Sequence, residues 1–485
     1  MSETSESTLT PVQTSAKPPT ILVYTNDNEK LYQQIYTSLN KLIPECTYSI
    51  SPISSKSMTS DLWYNEYIAC IFIICNSKDL KDEILSKLKL CNKKIKIISA
   101  QPIQEFECVT LNMEFDKSEF DTLLLSDAMK TLGFEVKENQ KIPELTCGYF
   151  ICKPDDLTWK MEGLEFGSNI GNSPTLLFLP NATFSSDIFP SPLNLPIKVY
   201  RQKNGFPENI GFNTVEYFEI LNTKCPGRAL LFIPVCETTM NISKSLGNAM
   251  PNVDGILVVA ETQINGIGRS GNQWLSPKGC ALLTFNYNIQ LSSNLGSNLT
   301  FIQLILAVSI CDAIKSLLNL PEFPITIKWP NDIYFGRKYK LGGIMVTSSI
   351  FGEILQCTIG AGLNVSNSKP TFCINDLLPS DCEKKLSIEE VLAETMNKFE
   401  YYINMFENNG KSAFLRHYYN LWLHSNEEVE IQHSSNNEKE MVIIKGLDEY
   451  GYLQVQSKKN GKVFSVHDDG NTFDMMKGLI RPKIR

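Results

Sequence analysis

Residues 261–279 read ETQINGIGRSGNQWLSPKG and follow the apolar run GILVVA at 255–260. The run is short, uncharged and rich in β-branched residues, the composition of a buried strand. After it comes a loop with four glycines and one arginine. Gly266, Gly268 and Gly271 let the backbone turn its N–H groups toward a ligand, and Arg269 adds a forked donor suited to phosphate or carboxylate. The spacing Gly-x-Gly-x-x-Gly invites a dinucleotide-binding reading, but such a loop opens a helix, and this one runs into Trp274 and Pro277. The expectation is a strand that delivers an anion-binding loop without a Rossmann helix.

Three further motifs stand downstream in order: KWPNDIY at 328–334, KLGGI at 340–344 and GAGLNV at 360–365. With the loop, and with the tail HDDGNTFDM at 467–475, they resemble the biotin protein ligases, the eukaryotic holocarboxylase synthetases in particular. The resemblance runs from about residue 212 to the end of the chain. It implies a central mixed-sheet biotin/lipoate ligase catalytic domain at 212–425, with helices on one side, and a C-terminal SH3-like β-barrel at 427–485.

Length and composition set the outer bounds. A chain of 485 residues suggests two or three domains. A net charge of −8 with no long basic run gives no electrostatic footprint for nucleic acid. The fourteen cysteines are scattered without a C-x-x-C, and all four histidines lie after residue 416, which suits reduced thiols in a cytoplasmic protein. No run is expected to span a bilayer. The first nineteen residues, rich in Ser and Thr with two Glu and no Arg, read as a disordered tail rather than a targeting signal.

From residue 20 the pattern is α/β: strands at 21–24, 67–74 and 94–98 alternate with helices at 29–42 and 79–90, implying a parallel sheet. Eukaryotic relatives resemble glutamine amidotransferases here, so 20–205 is expected as an amidotransferase-like α/β domain that includes strands at 145–152 and 175–179. Cys75 follows a strand, but Asn76 and Ser77 stand where a nucleophile elbow needs glycine, and no histidine precedes residue 417. A scaffold or substrate-docking role is expected instead of hydrolysis.

In the centre, a strand at 228–235 leads to Glu237, Thr238, Thr239, Met240 and Asn241, and another strand is expected at 281–285. A helix over 298–319 repeats apolar residues on one face at Phe301, Leu304, Ile305, Val308 and Cys311. Strands at 429–432, 440–445 and 452–456 with tight turns agree with a small barrel.

The chemistry implied by the resemblance is carboxylate activation. A carboxylate does not acylate an amine at neutral pH, but an acyl-adenylate does, and forming one requires cations and N–H groups around the α-phosphate. Arg269 and the loop glycines fit the phosphates, with Lys340 beside the carboxylate and α-phosphate; Lys340 read alone is equally a charged hairpin position. Thr238, Thr239 and Met240 match the segment that contacts the biotin ureido ring, while the threonines alone also suit a helix cap. Gln263, Gly266, Ile267, Gly268, Gly342 and Gly343 complete the implied biotin site. Trp274 is either a lid on the adenylate or core. Asn331 and Asp332 either form an Asx turn or hold Mg²⁺ through oxygen, with Asp332 as the metal ligand. Asn364 is placed near the adenine, or its glycine neighbours serve close sheet packing.

The expected activity is ATP-dependent formation of biotinyl-5′-AMP, followed by transfer to a lysine on the carboxyl carrier domain of biotin-dependent carboxylases. A lipoate ligase and a regulator that holds the adenylate without transferring it are the competitors. The chain departs from the family at Ile267, where relatives carry a basic residue.

Overall fold

The computed structural model describes residues 18–482 apart from 45, 60–67, 76–79, 92–94, 104–107, 112–121, 138–140, 153–163, 167–172, 181–188, 201–205, 252, 270–271, 368, 433–437, 469–470 and 476–477. Gly271 and most of the 1–19 tail therefore lie outside the described residues.

The first sheet is parallel throughout, in the order Ser49–Pro52, Thr20–Tyr24, Ile68–Ile73, Lys96–Ser99, Val109–Thr110. Ile21 and Val23 enter one apolar cluster while Leu22 and Tyr24 enter another, so both faces are covered and the strand reads as an unbroken apolar run. Helix Glu29–Leu42 starts where the Asn28 side chain accepts the Leu31 N–H at 3.1 Å. It buries Tyr32, Ile35, Leu39 and Leu42, one face at helical spacing.

The second sheet carries eleven strands, in the order Ile325–Lys328, Asp332–Phe335, Tyr339–Phe351, Ile354–Asn364, Cys280–Gln290, Ile256–Gln263, Ala229–Cys236, Gly148–Cys152, Asn194–Tyr200, Thr175–Pro180, Glu165–Phe166. It is mixed: Ala229–Cys236 and Ile256–Gln263 run parallel, and Cys280–Gln290 returns antiparallel. Two expectations change here. The strands between 148 and 200, grouped with the N-terminal α/β unit from their sequence, hydrogen-bond into this sheet, where Ala229 pairs with Cys152 and Phe232 with Tyr149. Apolar content alone does not say which edge a strand joins, and the edge of Ala229–Cys236 was open to them.

Helices also cover both faces rather than one. Leu230, Phe232, Leu257 and Val259 pack with helices Phe301–Leu318 and Ile388–Asn409. Leu231, Ile233, Val258 and Ala260 pack with Ile242 and Leu246 of helix Thr239–Ala249. Period-2 alternation sends successive residues to opposite cores, and both parities are apolar.

Helix Phe301–Leu318 is by length and composition able to cross a membrane, contrary to the expectation that no run is; its burial among the side chains of the larger core makes it a core helix. The last sheet has six strands, in the order Val463–Val466, Leu453–Ser457, Lys439–Leu447, Glu428–Gln432, Leu479–Pro482, Asn471–Asp474. Among the described residues its two outer strands do not pair, so the closed barrel is not seen. Asp468, just past the strand Val463–Val466, pairs with Arg269 of the central loop.

Candidate functional site

Two parallel strands end side by side, and the segment after each one builds a wall of a cavity. After Ala229–Cys236 come Thr238 and Thr239 at the start of a helix; at the end of Ile256–Gln263 stands Gln263. Thr238 has extended backbone at the N-cap, yet its side chain makes no capping hydrogen bond. Gln263 does that work from the neighbouring strand: its Oε1 accepts the Thr239 N–H at 2.8 Å and the Thr239 hydroxyl at 3.1 Å. The Thr239 hydroxyl also shares a hydrogen bond with Thr284 at 2.8 Å, and Gln263 Nε2 donates to Ser276 at 3.0 Å. Of the two readings of the threonines, capping is therefore not what the Thr238 side chain does.

Backbone hydrogen bonds hold the two limbs of the loop after Gln263 together. The Gly268 N–H donates to the Asn272 carbonyl at 2.7 Å, the Trp274 N–H donates to the Gly266 carbonyl at 2.9 Å, and Ile267 and Gln273 form an antiparallel bridge. A Cβ on Gly266 would strike the Trp274 carbonyl, so this glycine shapes the loop and does not line the cavity. Ile267 is 42% exposed at the cavity rim.

The far wall comes from the 325–364 hairpins. Asp332 Oδ1 lies 2.6 Å from Lys340 Nζ, and its Oδ2 lies 3.4 Å from Lys328 Nζ. Lys340 Nζ stands 5.8 Å from the centroid of the Trp274 ring. One carboxylate thus fixes two ammonium groups, which suits a site that must meet growing negative charge. Both oxygens of Asp332 face lysine ammonium groups, so the carboxylate expected to hold Mg²⁺ is engaged by Lys340 and Lys328 in this structure.

Asn331 exchanges main-chain and side-chain hydrogen bonds with Ile344, and its Oδ1 accepts Arg269 Nη1 at 3.1 Å. Arg269 Nη2 pairs with Asp468 Oδ2 at 2.5 Å. The segment holding Asn331 and Asp332 is itself pinned by a buried histidine: His424 Nε2 accepts the Trp329 N–H at 3.2 Å, so the ring proton sits on Nδ1 and donates to Glu427 at 2.8 Å. Burial pushes this imidazole below its ordinary value, outweighing the pull of Glu427, and keeps it neutral.

These walls enclose about 260 Å³. The cavity brings together Thr238, Thr239, Met240, Gln263, Ile267, Gly268, Arg269, Trp274, Asn331, Asp332, Lys340 and Gly343. Three expected residues stand outside its lining. Gly342 packs against the neighbouring strand, where a Cβ would come within 2.8 Å of the Gly362 carbonyl. Gly266 shapes the loop. Asn364 turns into a buried network, donating to Thr371 at 3.3 Å and accepting from Asn367 at 3.2 Å and the Cys280 thiol at 3.3 Å. Its glycine neighbours serve close packing: a Cβ on Gly360 would lie 2.6 Å from Met240 Sδ, and one on Gly362 would overlap Trp274 Nε1.

Sequence reading missed Thr284, Lys328, Gln273 and Phe473, all of which line the cavity. Lys328 and Phe473 lie inside motifs already singled out, and position within those motifs was the available signal. Gln273 lies inside the 261–279 stretch and Thr284 inside an expected strand, but only strand pairing and loop closure point their side chains inward.

Residues 232–364, which hold most of Ala229–Cys236, all of Ile256–Gln263, the loop and Lys340, match the Biotin/lipoate A/B protein ligase family. Over 374 residues the chain is 35% identical to a human Biotin–protein ligase, a match covering 75% of this chain and 50% of that protein. Over 284 residues it is 32% identical to Biotin–protein ligase 2 of Arabidopsis thaliana, covering 57% of this chain and 84% of that one. The chain belongs to the biotin–protein ligase family, and it spans about half the length of the human relative. Among solved structures, a biotin protein ligase from Aquifex aeolicus in complex with biotin and ATP overlays with a TM-score of 0.36 at 23% identity, covering 50% of this chain and 100% of that one.

Proposed function

We propose that this chain is an ATP-dependent biotin–protein ligase. The observation that carries the reading is one cavity that brings the uncharged donors and acceptors Thr238, Thr239 and Gln263 together with the cations Lys340, Lys328 and Arg269. The uncharged groups suit a ureido ring, which both donates and accepts. The cations suit a carboxylate held against an α-phosphate. A carboxylate oxygen of biotin bonds to the α-phosphorus of ATP as the bond to pyrophosphate breaks. The acceptor lysine amine then bonds to the acyl carbon, AMP leaves with the bonding pair, and the amine proton passes to solvent. Lys340 is assigned to the carboxylate and α-phosphate, Arg269 to the phosphates, and Trp274 to the face of the adenylate.

Acceptors are proposed to be biotin-dependent carboxylases, modified on their carboxyl carrier domains. A cytoplasmic location belongs to the same proposal, supported by free thiols at every cysteine whose side chain is described. We read the parallel sheet from residue 20 as an amidotransferase-like scaffold. The six-stranded sheet is read as SH3-like, engaging ATP or the acceptor. Incubation with ATP, Mg²⁺, labelled biotin and an apo-carrier domain tests the whole: label on one acceptor lysine is expected, and excess lipoate should not displace it. Label that stops at an adenylate refutes transfer.

A further inference from the structure

Two residues of the loop, Asn265 and Gln273, hydrogen-bond to the N-terminal unit. Ser49–Pro52 is the outer strand of the parallel sheet, so its outward N–H groups face no further strand. Gln273 takes one of them: its Oε1 accepts the Ile50 N–H at 2.8 Å. The other end of the same amide donates from Nε2 to the Tyr36 hydroxyl at 2.8 Å. Tyr36 in turn donates to Asn265 Oδ1 at 3.4 Å. Burial holds the Tyr36 hydroxyl above its ordinary value, so at neutral pH it keeps the proton it donates.

These contacts matter because of where they fall on the loop. Asn265 lies just before Gly266 and Gln273 just after Asn272, so one tyrosine ties both limbs of the loop that carries the cavity-lining Ile267, Gly268 and Arg269. Gln273 also lines the cavity and bridges Ile267, which stands at the rim. Beyond these ties, the described residues of the loop are held by the grip of Arg269 on Asn331 and Asp468, by the Asn272 side-chain amide on the Arg269 carbonyl, and by backbone bonds. Freeing Gln273 and the Asn265 side chain therefore removes a restraint on moving Ile267, Gly268 and Arg269 away from the cavity they line.

We propose that the N-terminal α/β unit acts as an intramolecular brace on the ligand loop, with Tyr36 as the positioning residue, and that it holds the acyl-adenylate in the cavity until an acceptor arrives. This rests on the ligase reading. It gives the N-terminal unit a task that needs no nucleophile.

The test uses the full chain carrying Tyr36→Phe, which keeps the ring packed against Tyr32 at 5.9 Å and deletes the hydroxyl. Formation of biotinyl-AMP, read as the first burst of pyrophosphate, should stay within about twofold of wild type. Release of preformed biotinyl-AMP should quicken by about three- to tenfold, the scale of losing one or two half-buried hydrogen bonds, with more label on bystander lysines. Gln273→Ala should quicken release as well, and the double variant should fall short of the product of the two effects, since Tyr36 acts largely through Gln273. Asn265→Ala lies outside the N-terminal unit and should move release in the same direction by less, which keeps the test open if Tyr36→Phe unfolds. Adenylate formed and released at the wild-type rate by Tyr36→Phe and Asn265→Ala, or effects that multiply fully, overturns the brace and leaves the ligase standing. No adenylate from the wild-type chain overturns both.

Discussion

Two sheets in this chain end parallel strands in polar loops, yet among the described residues one of them builds a site and the other does not. At the carboxyl ends of the N-terminal sheet, the Tyr24 hydroxyl donates to Asn26 at 3.1 Å and the Ser55 N–H donates to Asp27 at 2.9 Å. Polar groups there satisfy one another locally. Cys75, just past its strand, is 7% exposed, and the nearest histidine in sequence is His417. At the carboxyl ends of Ala229–Cys236 and Ile256–Gln263, the partners come from far away: Thr284 and Ser276 meet Thr239 and Gln263, and the 325–364 hairpins add the lysines. A strand end in an α/β sheet is a place where a site can stand. Chemistry arises only where distant elements leave charged groups facing a shared space.

That contrast can be broken most severely at Lys340. We predict that Lys340→Ala lowers the rate of pyrophosphate release by on the order of a hundredfold or more, since it removes a cation that meets charge developing in the transition state. Thermal unfolding should change little, because the side chain is half-buried and Asp332 keeps Lys328. A variant with wild-type pyrophosphate release would return Lys340 to an ordinary hairpin charge.

Gly362→Ala comes next. The added methyl overlaps Trp274 Nε1, and because overpacking costs about 1–3 kcal/mol, biotin affinity should fall by roughly tenfold as the indole is pushed into the cavity. Unchanged affinity in equilibrium titration would mean that Trp274 shifts freely and does not define the cavity wall.

Ile267→Lys tests the position where the chain departs from its relatives. With the side chain at an exposed rim, a new charge is screened and should contribute about 1 kcal/mol or less, changing turnover by under roughly tenfold. A hundredfold gain would show that the cations already present are insufficient and that the native chain is a weakened enzyme.

The smallest effect is expected in the other sheet. Cys75→Ser should leave adenylation and transfer within about twofold, because its thiol sits in an apolar cluster. Loss of activity in a folded Cys75→Ser protein would erase the distinction between the two sheets.

Local pattern in the sequence was enough to find most elements and most of one wall. Helix Glu29–Leu42 was legible from its apolar spacing, and Ile256–Gln263 from its unbroken apolar run. The anion-suited loop was legible from its glycines and Arg269. Thr238, Gln263, Asn331 and Lys340 were legible from motif resemblance, and all four line the cavity. All of this rests on neighbours along the chain or on short motifs, which is the range over which backbone preference and residue chemistry act directly.

Only the tertiary structure decided what those residues face. Asp332 carries the same carboxylate whatever it faces; the antiparallel pairing of Asp332–Phe335 with Tyr339–Phe351 sets Lys340 beside it. Asn364 and Gly360 lie on one strand, but the Gly360 backbone runs beneath Met240 while Asn364 bonds inward to Thr371. Gln273 lies in the opening stretch, but its partners Ile50, Tyr36 and Ile267 are set by sheet edge, helix face and loop closure together. Side-chain pairing across distant elements depends on register and on which edge remains open, and neither is written in the spacing of residues along the chain.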